Sequence, residues 1–356
     1  LSIKGGVRRR VKALYKVLIS DHEVEIVSLS DFLDSRERKS FSLYNTFLSI
    51  KTLINTIKKS RRQLNKYQII IGFSLLPSLL SLFCRAKKIF VSTGSSFYDK
   101  DSLLHSRILW TLILQPFIYL SANIIVPAAP HLVPKVFKVI FKRKIVYING
   151  LIDLDLIKAN VKSNTNEDYL PILNNLKYIC ISSAITKQKG VLQFLDVYNK
   201  YRNSKKENAL NLIIIGDGPE LKQCFITCNK LGLKYSYQSY DINSQIHFTG
   251  HSNNPLPILS RSAIFIMPSF YEGLSNQLLE AIYCNINVLA TDCPGNLLVY
   301  ETVLAEAKDK NNAFFKILPV LKNNKSKEIW LSELINLNEA NVKSGIMIPR
   351  DPNRIN

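Results

Sequence analysis

The 356-residue chain has no hydrophobic run that predicts a transmembrane helix. The nearest candidate, residues 108–127, is interrupted by four polar or helix-breaking residues, Gln115, Pro116, Ser121 and Asn123. Cysteines are few, and the six present are scattered. Cys224 and Cys228 lie one helical turn apart, but no second pair completes a zinc site. This cysteine usage favours a reducing cytoplasm.

Acidic residues are scarce in the first part of the chain. Residues 1–150 hold 25 Lys and Arg against 8 Asp and Glu, a balance of +17, which leaves only +3 of the total +20 for the remainder. Within the acid-free window between Arg38 and Tyr98, residues 41–67 predict a helix with an apolar face and a basic end. That helix fits an anionic membrane surface. Alternatively, it packs its apolar face on a core and solvates its basic end. Nucleic acid is disfavoured as a partner because no nucleic-acid module accompanies the charge.

The length and the hydrophobic content of 47% predict a globular protein with room for two domains. Apolar runs of strand length, such as 68–73 and 88–92, alternate with helical stretches. Such continuous runs are typical of parallel strands that are covered on both faces. We therefore expect an α/β protein of two doubly wound domains, at 1–159 and 172–356, joined by a polar linker at 160–171.

Two glutamates flank a predicted strand-to-helix junction. Residues 263–268 predict a buried strand, and residues 276–284 predict a helix with Ser275 as its N-cap. Glu272 lies in the junction, and Glu280 lies in the helix. A helix N-terminus suits a phosphate, and carboxylates accept hydrogen bonds from sugar hydroxyls. The alternative is that Glu272 caps a turn and that Glu280 is a solvated helix residue.

The segment from Ser269 to Ala281 resembles the glutamate pair, with seven residues between, of the retaining glycosyltransferases of family 4. Members of that family share the GT-B fold, in which two Rossmann-like domains face a cleft. Further segments resemble the family in the same order along the chain: Gly5-Gly6 with the helical run 7–19, residues 121–127, 145–153, 211–220, 246–251 and 287–295, and a glycine-led last strand at 345–349.

The resemblance implies a hexosyltransferase that moves a sugar from a nucleotide donor to an acceptor with retention of configuration. Glu272 would hold hydroxyls of the transferred sugar, Lys189 would contact the diphosphate and Glu280 would bind the ribose. The remaining donor-binding positions implied are Gly5, Gly6, Gly250, His251, Gly273, Leu274 and Ser275. No metal and no cofactor beyond the nucleotide-sugar co-substrate is expected. The Asp-x-Asp matches at 99–101 and 153–155 are short enough to arise by chance.

Two departures from the family keep other functions open. Ala184 occupies the position of an arginine that contacts the diphosphate, and residues 90–96 lack the histidine that many relatives carry. Hydroxyls of Thr93, Ser95 or Ser96 could position a substrate there. The alternatives are a catalytically impaired homologue that binds nucleotide sugar or glycan, and a sugar-nucleotide isomerase with the same fold.

The sequence predicts neither the sugar nor the linkage. We expect UDP as the nucleotide and a polyprenyl-linked glycan of a cell-envelope polysaccharide as the acceptor. The enzyme is expected in the cytoplasm, peripheral on the inner face of the membrane. The chain opens at the glycine loop and stops soon after Pro349, so we expect a missing first strand, a truncation at both ends and low stability for this span.

Overall fold

The computed structural model describes residues 6–28, 50–73, 75–91, 114–148, 154–163, 177–306 and 315–343. The chain divides into two units, Leu1–Ile152 and Asp153–Asn356. Within the described ranges each unit holds one sheet, and all strand pairs in both sheets are parallel. The α/β class expected from the apolar runs is therefore confirmed.

The first unit has a three-stranded sheet of order β1-β2-β3. Its first two strands lie in the runs predicted from the sequence, at 69–73 and 87–91. In chain order its elements are α1 (Gly6–Leu18), α2 (Ile50–Leu64), β1 (Ile69–Phe73), α3 (Leu75–Ser81), β2 (Lys87–Val91), α4 (Gln115–Ser121), β3 (Ile124–Val126) and α5 (Lys135–Ile140).

Helix α2 falls within the basic stretch for which the sequence left several interpretations open. Ile57 and Leu64 contact a buried cluster that includes Leu80 and Cys84. The basic residues of the last two turns, Lys58, Lys59, Arg61 and Arg62, are exposed. At these described positions the apolar side chains face the core and the basic end is solvated, whereas residues 41–49 lie outside the described part of the chain.

The second unit has a seven-stranded sheet of order β10-β9-β8-β4-β5-β7-β6. Its elements are α6 (Leu154–Lys162), β4 (Tyr178–Ser182), α7 (Val191–Lys205), β5 (Asn211–Ile215), α8 (Leu221–Lys230), β6 (Tyr235–Tyr237), β7 (Ile246–Gly250), α9 (Leu256–Leu259), β8 (Ile264–Met267), α10 (Asn276–Tyr283), β9 (Asn287–Thr291), α11 (Pro294–Glu306), β10 (Phe315–Leu318) and α12 (Asn324–Lys343). The proposed linker overlaps the end of α6 at 160–163, and its remainder, 164–171, lies outside the described residues.

The core of the second unit explains why its central strands are uniformly apolar. Every residue of β4 and of β8 is buried, because helices cover both faces of the sheet. Trp330 of α12 packs edge-on against Phe194 of α7, with ring centroids 5.9 Å apart. All six cysteines are buried and free, and burial raises the pKa of both Cys224 and Cys228 to about 12. These thiols therefore behave as small apolar side chains.

No helix within the described ranges is long and apolar enough to cross a membrane. Among the same residues, no group of three or more His, Cys, Asp or Glu side chains is placed to hold a metal ion.

Candidate active site

The candidate site lies at β4, where the order in which strands are added to the second sheet changes from one side to the other. β4 is the first strand of this unit, β5 extends the sheet on one side and β8 lies on the other side. Open α/β sheets bind ligands at the carboxyl ends of the strands at such a reversal. The turn after β4 carries Lys189, and the loop after β8 carries Glu272. The pairing of β4 with β8 therefore brings two separate sequence motifs to one place.

Lys189 and Glu272 form an ion pair. The ammonium Nζ of Lys189 donates to Oε1 of Glu272 at 2.7 Å, and their side chains are only 18% and 7% exposed. Such charge-assisted bonds are stronger when shielded from water. The structure thus places the Lys189 ammonium and the Glu272 carboxylate, for which the sequence predicts roles in donor binding, within hydrogen-bond distance of each other.

Two contacts hold the Lys189 turn against the Glu272 loop. Gln188 accepts a hydrogen bond from the Phe270 amide at 2.8 Å through its carbonyl, and its side-chain Nε2 donates to the Tyr271 carbonyl at 2.7 Å. Gly190 has a φ of +66°, and a Cβ at that position would lie 2.2 Å from the Pro268 carbonyl oxygen. Only glycine allows this approach, so the two loops are fixed as one body.

The following strand supports the Glu272 loop from its other side. Thr291, at the end of β9, donates its hydroxyl hydrogen to the Ser269 carbonyl, and Asn296 donates to the Thr291 carbonyl and hydroxyl at 3.1 Å each. A Cβ on Gly295 would lie 2.5 Å from the Glu272 carbonyl oxygen. The loop that carries Glu272 is therefore held by the strand ends on both of its flanks.

Helix α10 follows the loop and carries Glu280. Ser275 is its N-cap, as predicted, and the Ser275 hydroxyl accepts a hydrogen bond from the Leu278 amide at 3.3 Å. Glu280 is only 4% exposed, which contradicts a solvated helix position for this side chain. Burial raises the pKa of Cys284 to about 12, and the negative charge of Glu280 adds to the shift. The Glu280 carboxylate thus lies in the protein interior, close to the Cys284 thiol.

The loops expected on the nucleotide side lie at the ends of β5 and β7. The Gly216 amide donates to the Gly250 carbonyl at 2.9 Å, and Gly250 has a φ of +72°. A Cβ on Gly216 would lie 1.8 Å from the Ser183 carbonyl oxygen, so this turn is pressed against the segment that follows β4. His251 is exposed next to it, and Ala184, at the arginine position of the resembled family, is exposed as well.

The remaining predicted residues are placed as follows. Gly273 is buried and Leu274 is half-buried, both between Glu272 and the N-cap. Gly6 is the first residue of α1, whereas Gly5 lies outside the described residues. Residues 92–113 also lie outside the described residues. This range includes the hydroxyl candidates Thr93, Ser95 and Ser96 and the first Asp-x-Asp match, at 99–101.

Sequence reasoning missed the side chains that support the site. Gln188, Thr291 and Asn296 carry no catalytic signature, and only their contacts reveal a role. Gly295 could have been noticed, since a glycine in the first turn of a helix is unfavourable unless another backbone approaches closely.

Comparison with known proteins identifies the second unit. Residues 176–323 match the family model described as glycosyl transferases group 1. An uncharacterized glycosyltransferase of Methanocaldococcus jannaschii is 26% identical over 67% of this chain, and the match spans only 57% of that relative. The O-antigen biosynthesis glycosyltransferase WclY of Escherichia coli is 24% identical over 90% of this chain and 85% of its own length.

A third relative, from Campylobacter jejuni, is named for transfer of N-acetylgalactosamine to a diphospho-undecaprenol-linked sugar, and it is 21% identical over 81% of this chain and 78% of its own length. Among solved structures, Anabaena HepE in complex with UDP and glucose covers 96% of both chains with a TM-score of 0.60 at 12% identity. That likeness supports the fold alone. Together these findings show that residues 176–323 are similar to the glycosyl transferases group 1 and that the chain has an α/β fold like that of GT-B structures.

Proposed function

We propose that this chain transfers a hexose from a UDP-linked donor to a lipid-linked glycan acceptor, with retention of the anomeric configuration, during synthesis of a cell-envelope polysaccharide. The observation that carries this proposal is the shielded Lys189–Glu272 pair at the carboxyl ends of β4 and β8. The names of the Escherichia coli and Campylobacter relatives support a surface polysaccharide and a polyprenyl diphosphate acceptor, and HepE, solved with UDP and glucose, supports the donor class.

The chemistry needs charge stabilisation at both ends of the breaking bond. As the bond between the anomeric carbon and the diphosphate breaks, negative charge grows on the phosphate, and the Lys189 ammonium together with the α10 N-terminus would stabilise it. The Glu272 carboxylate would accept hydrogen bonds from sugar hydroxyls and stabilise the positive charge that develops on the ring. Because the loops that hold both groups are fixed by Gln188 and Gly190, little reorganisation is required.

The expected role of Glu280 gives a direct test of donor binding. A carboxylate can accept hydrogen bonds from two ribose hydroxyls, whereas the amide of Glu280→Gln offers one acceptor oxygen in the same volume. We expect this change to weaken UDP binding by about tenfold or more, since hydrogen bonds to charged groups contribute about 1.5–3 kcal/mol. Isothermal titration with UDP measures the change in Kd, and Glu301→Gln, an exposed position on α11, is the matched control. Equal UDP affinity in all three proteins would reject the assignment.

The exposed Ala184 supports a second candidate function, a homologue that binds nucleotide sugar with little turnover. Loss of a guanidinium at a developing phosphate charge costs on the order of 2–4 kcal/mol of transition-state stabilisation. Lys187, an exposed lysine in the same turn as Lys189, could compensate. A transfer assay with UDP-sugars and a polyprenyl diphosphate glycan separates the two candidates, because only the first predicts turnover above solvent hydrolysis.

Restoring the guanidinium at this position is expected to raise activity. We expect Ala184→Arg to increase kcat by about tenfold or more, because the new cation stabilises the leaving diphosphate. Ala184→Gln is the matched control, since it adds length and hydrogen-bond donors without charge. The measurement is kcat for transfer or for donor hydrolysis. A similar gain for both variants would mean that charge at position 184 is irrelevant to the reaction.

A further inference from the structure

Helix α5 in the first unit carries an apolar surface that the fold leaves exposed. Val136, Val139 and Ile140 are 64%, 78% and 63% exposed. Their spacing of three and four residues places them on one face of the helix. Single exposed apolar side chains are common, but a stripe of three along one helix indicates a surface that contacts another protein or a membrane.

The opposite side of α5 is anchored, so the stripe cannot simply turn inward. Phe137 and Phe141 contact the buried ring of Tyr119 in α4, with centroids 5.5 and 5.4 Å away. Lys144, in the turn that follows, donates to the carbonyls of Tyr119 and Leu120 at 3.2 and 2.8 Å. The face with Phe137 and Phe141 therefore packs on the core of the first unit, and the face with the aliphatic stripe is exposed.

The stripe is flanked by positive charge alone. Lys135, Lys138, Lys142 and Arg143 lie within nine residues of one another, and no acidic residue occurs between Asp101 and Asp153. By helical periodicity, Lys135 and Lys138 lie on the side of α5 next to Val139. A surface that combines aliphatic side chains with lysines complements a layer that is apolar beneath and anionic above.

We propose that this α5 surface docks the protein on a lipid bilayer that contains anionic headgroups. Val136, Val139 and Ile140 enter the boundary between headgroups and acyl chains, while the flanking lysines contact lipid phosphates. A nucleic acid would use the lysines but would gain nothing from three aliphatic side chains. The inference deepens the proposed function by placing the protein at the membrane that carries its lipid-linked acceptor, and its test uses lipid binding alone, so failure of the transferase assignment would leave it unaffected.

The experiment is co-sedimentation of the full chain with vesicles of phosphatidylcholine, with and without about 30 mol% phosphatidylglycerol. We expect binding to the anionic vesicles and about tenfold or more weaker partitioning for Val136→Ser/Val139→Ser, because two apolar side chains no longer enter the bilayer. Ile242→Ser is the matched control, since Ile242 of the second unit is 77% exposed and outside the stripe. Its partitioning is expected to equal that of the unchanged protein.

The contribution of the flanking lysines to vesicle binding is tested separately. Lys138→Gln/Lys142→Gln is expected to lose about tenfold or more in partitioning at low salt, and the difference from the unchanged protein is expected to shrink at high salt. Lys58→Gln/Arg61→Gln, which alters the solvated end of α2, tests the competing surface. If the α2 variant alone abolishes binding, or if no anionic vesicle sediments the protein, the proposal is wrong. It is equally overturned if light scattering finds a dimer that Val136→Ser/Val139→Ser dissociates while lipid binding stays unchanged.

Discussion

Glu272→Gln is expected to lower kcat for sugar transfer by about 100- to 1000-fold while the Kd for UDP changes less than about threefold. The amide has the volume of the carboxylate but no charge, so it loses the interaction that grows as positive charge develops on the sugar ring. UDP lacks the transferred sugar, and its affinity should therefore be insensitive to this side chain. Transfer kinetics and UDP titration on the same preparations measure the two effects, with Glu301→Gln as the exposed control on α11.

Loss of the Lys189–Glu272 ion pair could lower turnover by destabilising the loop rather than by removing a contact with the sugar. A second variant separates these two explanations. Glu272→Gln leaves Lys189 partly buried without its carboxylate, and removal of one partner of a shielded pair is destabilising. A double-mutant cycle with Lys189→Met isolates that coupling. If the pair only stabilises the loop, the double variant should regain both thermal stability and turnover. If Glu272 contacts the sugar and Lys189 contacts the diphosphate, stability recovers but turnover stays low, and small equal losses for both single variants would reject the proposed roles.

The sequence was sufficient for the residues of the candidate site but not for their contacts. Glu272, Ser275 and Glu280 could be located because a buried strand, a polar junction and a helical run follow one another within 22 residues, 263–284. Lys189 lies 83 residues from Glu272 along the chain, and their pairing depends on β4 and β8 being neighbours in the sheet. A sheet order that brings distant strands together is a tertiary property, which local patterns do not encode.

The end of the second unit shows a further limit of prediction from the sequence. The sequence predicts a glycine-led strand at 345–349, and this stays a prediction because those residues lie outside the described part of the chain. The structure places the strand next to β9 at Phe315–Leu318, a short run of Phe, Lys, Ile and Leu. Its lysine interrupts the apolar pattern because this strand lies at the edge of the sheet, where Lys316 pairs with Glu333 of α12 at 2.5 Å.

Gly190→Ala is expected to produce a large loss of stability in the second unit. The residue has a φ of +66°, which costs an alanine about 1–2 kcal/mol. Its Cβ would also lie 2.2 Å from the Pro268 carbonyl oxygen, and that backbone atom cannot move aside cheaply. Overpacking of this kind costs a further 1–3 kcal/mol or so. The total expected loss is about 2–5 kcal/mol in the free energy of unfolding, as measured by denaturant titration of the second unit's transition.

Gly232→Ala separates the two causes, because Gly232 has a φ of +68° and an added Cβ there would meet no described atom within 4 Å. It shares the backbone strain without the clash, so about 1–2 kcal/mol is expected for it. The excess for Gly190→Ala then reports the contact between the turn after β4 and the loop after β8. Because that contact positions Lys189 beside Glu272, Gly190→Ala should lower turnover even at temperatures where the protein remains folded, whereas Gly232→Ala should not. Equal stability losses and equal turnover in the two variants would mean that the loops tolerate separation and that the ion pair does not depend on their close approach.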